Sequence, residues 1–338
     1  MWQMVTRANL IIDVPGVSVG HAADRALASG VTSILVEQPN VAAAVTRGGA
    51  PGHRDVTLLD PEMTVQGVDA VVLSGGSAFG LDAAGGVMAE LRQRGIGVKI
   101  ANAVVPIVVQ AIVFDLLNGG DKSWALQPPY WQLGLSAARA STAGPFALGT
   151  IGGGYGATTA NLKGGLGSAS ATTRDGVTVG AIVIVNAVGS AVIGDGPHFW
   201  AAPVEVDDEF GGLGMPGQMN ATHLGLRVKG GAPPSTTIAL VATDAVLTKP
   251  EARRLAIMAD DGLARAIRPS HAPMDGDTVF AVATQRQPLS AGGLTELGLL
   301  AADCLARAIA RGVYAAEALH FPGAMPSWRD RFGQGSTP

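Results

Sequence analysis

Cysteine is almost absent from this chain. Cys304 is the only one in 338 residues, so no disulfide can form within one copy, and such usage fits a reducing compartment such as the cytoplasm. Its Ala/Leu-rich surroundings predict a buried, helical, unreactive thiol. Charge is also scarce: Asp, Glu, Lys and Arg make up 15% of the chain, against about 25% in typical soluble domains. The net charge is −4, and no basic block or basic–aromatic stripe occurs, so nucleic acid is not an expected partner. The six histidines stand apart, at 21, 53, 198, 223, 271 and 320, with no i, i+4 pair and no HExxH motif, and no metal is expected. Long apolar runs are missing too. The most apolar stretch, Val104 to Leu117, is broken by Pro106, Gln110 and Asp115 and is too short for a bilayer span. The opening residues, MWQMVTRANLIIDVPG, lack the apolar run of a secretory leader, so neither a membrane nor export is expected.

Apolar residues and glycine are abundant. Hydrophobic residues make up 47%, enough for a large core, and the 47 glycines lie in short clusters between apolar runs with no fixed period. That pattern reads as many tight turns between packed elements in one domain. So few charges leave little to cover a monomer's surface, and a homo-oligomer is expected.

Five β-branched runs read as strands: Val31 to Val36, Val68 to Leu73, Val177 to Asn186, Thr236 to Thr243 and Thr278 to Thr284. The third and fourth are nearly continuous apolar runs, as strands covered on both faces require. Leu81, Ala84, Val87, Met88 and Leu91 share a helical face that Gly95 ends. Thr248-Lys-Pro-Glu251 is a capping box with proline just inside the helix, which continues towards Pro269. A last helix is expected over Leu294 to Arg311, and Asn118 to Pro129 reads as a surface loop. Strands and helices mixed in this way predict an α/β sandwich with helices outside two sheets.

Several motifs invite chemistry. Ser77, in Val72-Leu-Ser-Gly-Gly-Ser-Ala-Phe-Gly80, sits where a nucleophile elbow would, but Phe79 takes the place of the second glycine. Ile151-Gly-Gly-Gly-Tyr-Gly-Ala157 approaches a dinucleotide fingerprint but lacks its acidic partner, so no cofactor is expected; its backbone N–H groups could still approach a reacting carbonyl. In Gly230-Gly-Ala-Pro-Pro-Ser-Thr-Thr-Ile-Ala-Leu-Val-Ala-Thr-Asp244 a turn-rich segment leads directly into a buried strand. A hydroxyl at that junction can attack the preceding carbonyl; the plain alternative is a strand start rich in β-formers.

The ordered motifs resemble the DmpA-type family of L-aminopeptidases/D-amidases, which includes β-peptidyl aminopeptidases and nylon-oligomer hydrolases. The resemblance is carried by Asp13-Val-Pro-Gly-Val-Ser-Val-Gly-His21, Arg47-Gly-Gly-Ala-Pro-Gly52, Leu73-Ser-Gly-Gly-Ser-Ala-Phe-Gly-Leu-Asp82, Phe114-Asp-Leu116, Lys163-Gly-Gly-Leu-Gly-Ser-Ala-Ser170, Val185-Asn-Ala-Val-Gly189 and Asp275-Gly-Asp-Thr278. It implies a four-layer αββα sandwich of the N-terminal-nucleophile type. It also implies self-cleavage between Ser235 and Thr236 into residues 1–235 and 236–338, which stay together, commonly in a tetramer. Thr236 would be the nucleophile, Asn186 the oxyanion-hole residue, Lys163 a cation near the nucleophile, and Asp275 and Asp277 the acidic pair. One departure is Ser235, where Asn or Gly is common.

The residue types suit amide hydrolysis. A threonine hydroxyl needs a base, and a freed α-amine with a pKa near 7.7–8 can serve. The expected substrate is a small peptide or amide. Two alternatives stand beside this reading: an acyltransferase of the ornithine-acetyltransferase type, and an uncleaved, non-catalytic binding protein.

Overall fold

The computed structural model describes residues 7–230 and 234–333. A first sheet is built from β1 (Val17–Asp24), β2 (Ser29–Val36), β4 (His53–Arg54), β5 (Ala70–Ser74) and β8 (Val108–Ile112), in the order β1-β2-β5-β8-β4. A second has β3 (Val41–Thr46), β9 (Gly165–Thr172), β10 (Thr178–Asn186), β11 (Thr236–Ala245) and β12 (Thr278–Gln287), in the order β3-β12-β11-β10-β9. A small ribbon, β6 (Val98–Ile100) with β7 (Ala103–Val105), lies apart. The helices are α1 (Ala83–Gln93), α2 (Tyr130–Arg139), α3 (Ala221–Leu224), α4 (Lys249–Ala266), α5 (Gly293–Tyr314) and α6 (Trp328–Phe332).

The side-chain period of two explains the four layers. Ile182 and Ile184 of β10, Ile238 and Leu240 of β11, and Phe280 and Val282 of β12 pack with Ile34, Leu73 and Val109 of the first sheet. The alternate residues Val183, Val241, Val279 and Ala281 turn the other way, onto Leu255 and Leu263 of α4 and Leu305 and Ile309 of α5. The first sheet's outer face, with Val31, Val72 and Val108, meets Val87 and Leu91 of α1 and Ala137 and Ala138 of α2. Each large aliphatic or aromatic side chain so enclosed contributes about 1.5–3 kcal/mol. The order helix, sheet, sheet, helix is the expected αββα sandwich.

Most sequence expectations hold. β10, β11 and β12 begin within a residue of their predicted starts, and Thr248 caps α4 by accepting the Glu251 N–H. Cys304 is buried inside α5. Helix α2 was not anticipated. It lies on α1 so closely that a Cβ at Gly134 would come within 2.0 Å of the Ala83 carbonyl oxygen. The residue that permits the packing is thus one that weakens a helical signal. Ser77 belongs to a strand-to-helix turn after β5, with Gly76 at φ 89° and Ser77 at φ 51°.

For the site, what matters is which strand ends meet. β10 runs antiparallel to β11 and pairs its last residue, Asn186, with the first residue of β11, Thr236. β12 runs parallel to β11, and the loop before it reaches alongside, with Ser235 bridged to Asp275.

Candidate active site

Thr236 is buried at the start of β11, in the middle of its sheet. Its hydroxyl donates to the carbonyl oxygen of Ser235, the residue before it. The same oxygen accepts the Gly276 N–H at 3.0 Å, while the Ser235 N–H donates to Met274 O at 3.1 Å. The peptide preceding Thr236 is therefore held from the 274–276 loop on both sides. That loop fits only without a side chain at 276: a Cβ there would stand 2.9 Å from Thr236 Oγ1 and 2.8 Å from Ala50 O.

The two aspartates flank this contact differently. Asp277 Oδ1 accepts the Thr237 N–H at 2.7 Å, which fixes the start of β11. Its Oδ2 accepts the His271 N–H at 3.0 Å and meets His271 Nδ1 at 2.9 Å. His271 Nε2 lies 3.5 Å from Asp260, which Arg47 approaches at 3.7 Å. The hydrogen bond to Asp277 holds the His271 pKa above its ordinary value. Asp275 accepts the Ala272 N–H at 3.0 Å. Burial, and then the neighbouring Asp277 carboxylate, push its pKa up to about 6.

Asn186 faces Thr236 across the strand pair. Its amide oxygen accepts the Thr158 N–H at 3.0 Å, and its NH2 donates one bond, to Phe114 O at 2.9 Å. An amide NH2 carries two donors, so one remains uncommitted among the described residues. Lys163 is enclosed at the same end but makes no hydrogen bond or ion pair with Thr236 or the aspartates. Its ammonium donates to three carbonyls, Gly154 at 3.1 Å, Ala157 at 2.9 Å and Gly164 at 3.0 Å. Burial lowers its pKa to about 7. The glycine loop thus presents carbonyls to a lysine. Through Ala157 the lysine holds the backbone that delivers the Thr158 N–H to Asn186.

Thr236, Asn186, Asp275 and Asp277 therefore converge, with Lys163 one loop away. Sequence reasoning missed His271, whose lone position among scattered histidines gave no signal. It also missed Lys229, which sits six residues before Ser235 and reaches Asn186 Oδ1 at 3.4 Å. No group of three or more His, Cys, Asp and Glu that could hold a metal occurs among the described residues, and no described helix is long and apolar enough to cross a membrane.

Comparisons with known proteins bear on the family and the fold. An uncharacterized aminopeptidase of Mycobacterium tuberculosis is 44% identical, covering 96% of this chain and 98% of its own length. A 6-aminohexanoate-oligomer endohydrolase of a Kocuria species is 28% identical over 82% of this chain and 76% of its own. Among solved structures, a Burkholderia beta-aminopeptidase superposes with a TM-score of 0.72 at 21% identity, covering 96% of this chain and 92% of that one. The L-aminopeptidase D-Ala-esterase/amidase of Ochrobactrum anthropi, described as a variant of the Ntn hydrolase fold, gives 0.71 at 21%, covering 98% and 93%. These likenesses fix the fold as that of N-terminal-nucleophile hydrolases. The model of peptidase family S58 matches residues 9–325, and with it the chain is a hydrolase of the aminopeptidase type: it belongs to peptidase family S58.

Proposed function

We propose that the chain cuts itself between Ser235 and Thr236 and that the freed Thr236 is the nucleophile of an aminopeptidase or amidase. The observation that carries this is the Thr236 hydroxyl, buried against the carbonyl of the preceding residue while Gly276 N–H holds the same oxygen. In maturation Thr236 Oγ1 adds to the Ser235 carbonyl carbon, and the Gly276 N–H supports the charge that gathers on the oxygen. The C–N bond breaks and its nitrogen, taking a proton, becomes the α-amine of Thr236. Water then hydrolyses the ester, leaving a Ser235 carboxylate and a free hydroxyl.

In turnover the α-amine accepts the hydroxyl proton as Oγ1 attacks the substrate amide carbonyl. The uncommitted N–H of Asn186 donates to the oxyanion. Collapse expels the leaving amine, which receives the proton, and water releases the acyl group. Asp277 sets the position of β11 through Thr237. Lys163 acts at one remove, through the loop that orients Asn186. The substrate is a small peptide or amide.

Mass spectrometry of the purified protein tests the reading. Two fragments of 235 and 103 residues are expected, and Thr236→Ala should leave the chain whole and inactive. A single full-length chain with amide hydrolysis intact would overturn the mechanism.

A further inference from the structure

Next to the strand ends lies a cleft of about 500 Å³ whose lining includes Phe114, Asp115, Asn118, Thr158, Lys229 and Pro234. Only two charged side chains face it among the described residues, Asp115 and Lys229. Asp115 is committed elsewhere. Its Oδ2 accepts the Ser29 hydroxyl at 2.6 Å and its Oδ1 the Gly76 N–H at 2.8 Å, both from the first sheet and its turn. Lys229 is not. Its ammonium has a single hydrogen bond among the described residues, the long one to Asn186 Oδ1 at 3.4 Å, and no carboxylate lies within ion-pair distance. An ammonium offers three donors. Burial brings the Lys229 pKa down to about 8, and Asp275 and Asp115 attract the ammonium only from beyond ion-pair distance, so its unspent donors remain for an anionic ligand in the cleft.

Two further observations fix where such a ligand would lie. The Lys229 N–H donates to Val188 O at 2.8 Å, two residues past Asn186, so the residue is anchored by a bond that a cut at Ser235 leaves in place. Pro234, on the acyl side of the Ser235–Thr236 peptide, lines the same cleft. An acyl group carried on Thr236 Oγ1 would sit where the Ser235 carbonyl stands before the cut, beside the cleft that Pro234 and Lys229 both line.

We propose that Lys229 is a specificity residue that pairs with a carboxylate on the acyl part of the substrate, so that the preferred N-terminal residue is acidic. The proposal rests on the hydrolase reading above. Its test compares glutamyl-, glutaminyl- and lysyl-p-nitroanilide. The first two match in shape and differ in charge. In the wild type kcat/KM should be about 10- to 100-fold higher for the glutamyl than for the glutaminyl substrate, carried mainly by KM, the range expected for a charge-assisted pair of about 1.5–3 kcal/mol. Lys229→Met should bring that ratio close to one, and Lys229→Glu should shift preference to the lysyl substrate. A wild type that favours the glutaminyl or lysyl substrate, or a ratio that survives in Lys229→Met, overturns the proposal. Calorimetry of the purified protein with L-glutamate and L-glutamine separates the two readings. Glutamate binding that Lys229→Met abolishes, without hydrolysis of any anilide, upholds the anion site and removes the hydrolase. No hydrolysis and no glutamate binding removes both.

Discussion

Gly276→Ala is a severe test of the site, because it adds one methyl group at the contact on which the mechanism depends. The new Cβ would lie 2.9 Å from Thr236 Oγ1, 2.8 Å from Ala50 O and 3.2 Å from Pro51 Cα, whereas ordinary contacts begin at 3.4 Å. Ala50 is not free to retreat, since its N–H is bonded to Asp275 O at 2.7 Å. The hydroxyl must therefore move by roughly half an ångström, or the 274–276 loop must lift and lengthen the Gly276 N–H to Ser235 O bond. A misplacement of about 1 Å costs on the order of 100-fold in rate, so half of that gives about 10-fold, before any loss from the lengthened N–H contact. Overpacking should also lower stability by about 1–3 kcal/mol. The assays are the rate at which full-length chain converts to two fragments on a denaturing gel, turnover of an amide substrate, and thermal melting. Gly217→Ala serves as the control, because nothing lies within 4 Å of a Cβ there. If Gly276→Ala matures, turns over and melts like the wild type, the hydroxyl is not where the mechanism needs it.

Asn186→Ala should keep the fold and lower turnover by roughly 10²–10³-fold, the usual loss for one oxyanion donor; unchanged turnover on an amide would remove Asn186 from the mechanism. Lys163→Met should remove three buried hydrogen bonds and cost about 1–3 kcal/mol, measured by chemical denaturation, because the Gly154 and Ala157 carbonyls each keep a backbone N–H donor. Folded Asp275 holds its proton up to about pH 6, whereas an unfolded Asp releases it near 3.9, so its contribution to stability is present at low pH and lost between about pH 4 and pH 6. Asp275→Asn should therefore raise the melting temperature at pH 7, with the gain shrinking towards pH 4. Light scattering should give a homo-oligomer, and a tetramer by family resemblance; a monomer mass would refute it.

The central sheet was legible because its strands bury both faces, which prints continuous apolar runs such as Val177 to Asn186 into the sequence. β1 and β9 were not. β9 reads Gly-Leu-Gly-Ser-Ala-Ser-Ala-Thr, a composition poor in β-formers, and it is a strand because α5 packs directly on it. A Cβ at Gly167 would meet the Ala308 carbonyl oxygen at 1.8 Å, so small residues are demanded by a neighbour 141 positions away. For the site, the motifs singled out Asn186, Asp275 and Asp277, which lie beside Thr236 or its neighbours, but gave no role to Met274 or Gly276, which hold the peptide before it. They could not reveal that Lys163 spends its charge on carbonyls, nor that His271 stands behind Asp277. Those facts depend on how loops fold back, and no local pattern records them. Lys229 was invisible for the same reason, since its meaning lies in the bonds it does not make.

The order β3-β12-β11-β10-β9 has a consequence for the lifetime of the folded protein. A cut after Ser235 assigns β11 and β12 to one piece and β3, β9 and β10 to the other, so the smaller piece lies in the sheet with strands of the larger on both sides. Such pieces could not drift apart without tearing two ladders, which would make a cleaved protein durable although nothing covalent joined it. They are also poorly placed to find each other again. Before the cut, folding is a first-order search within one chain; afterwards, recovery from denaturant is second order and competes with aggregation. Maturation would then act as a ratchet: the route to the native state can be travelled once, and what persists afterwards is held by the height of the barrier to leaving it.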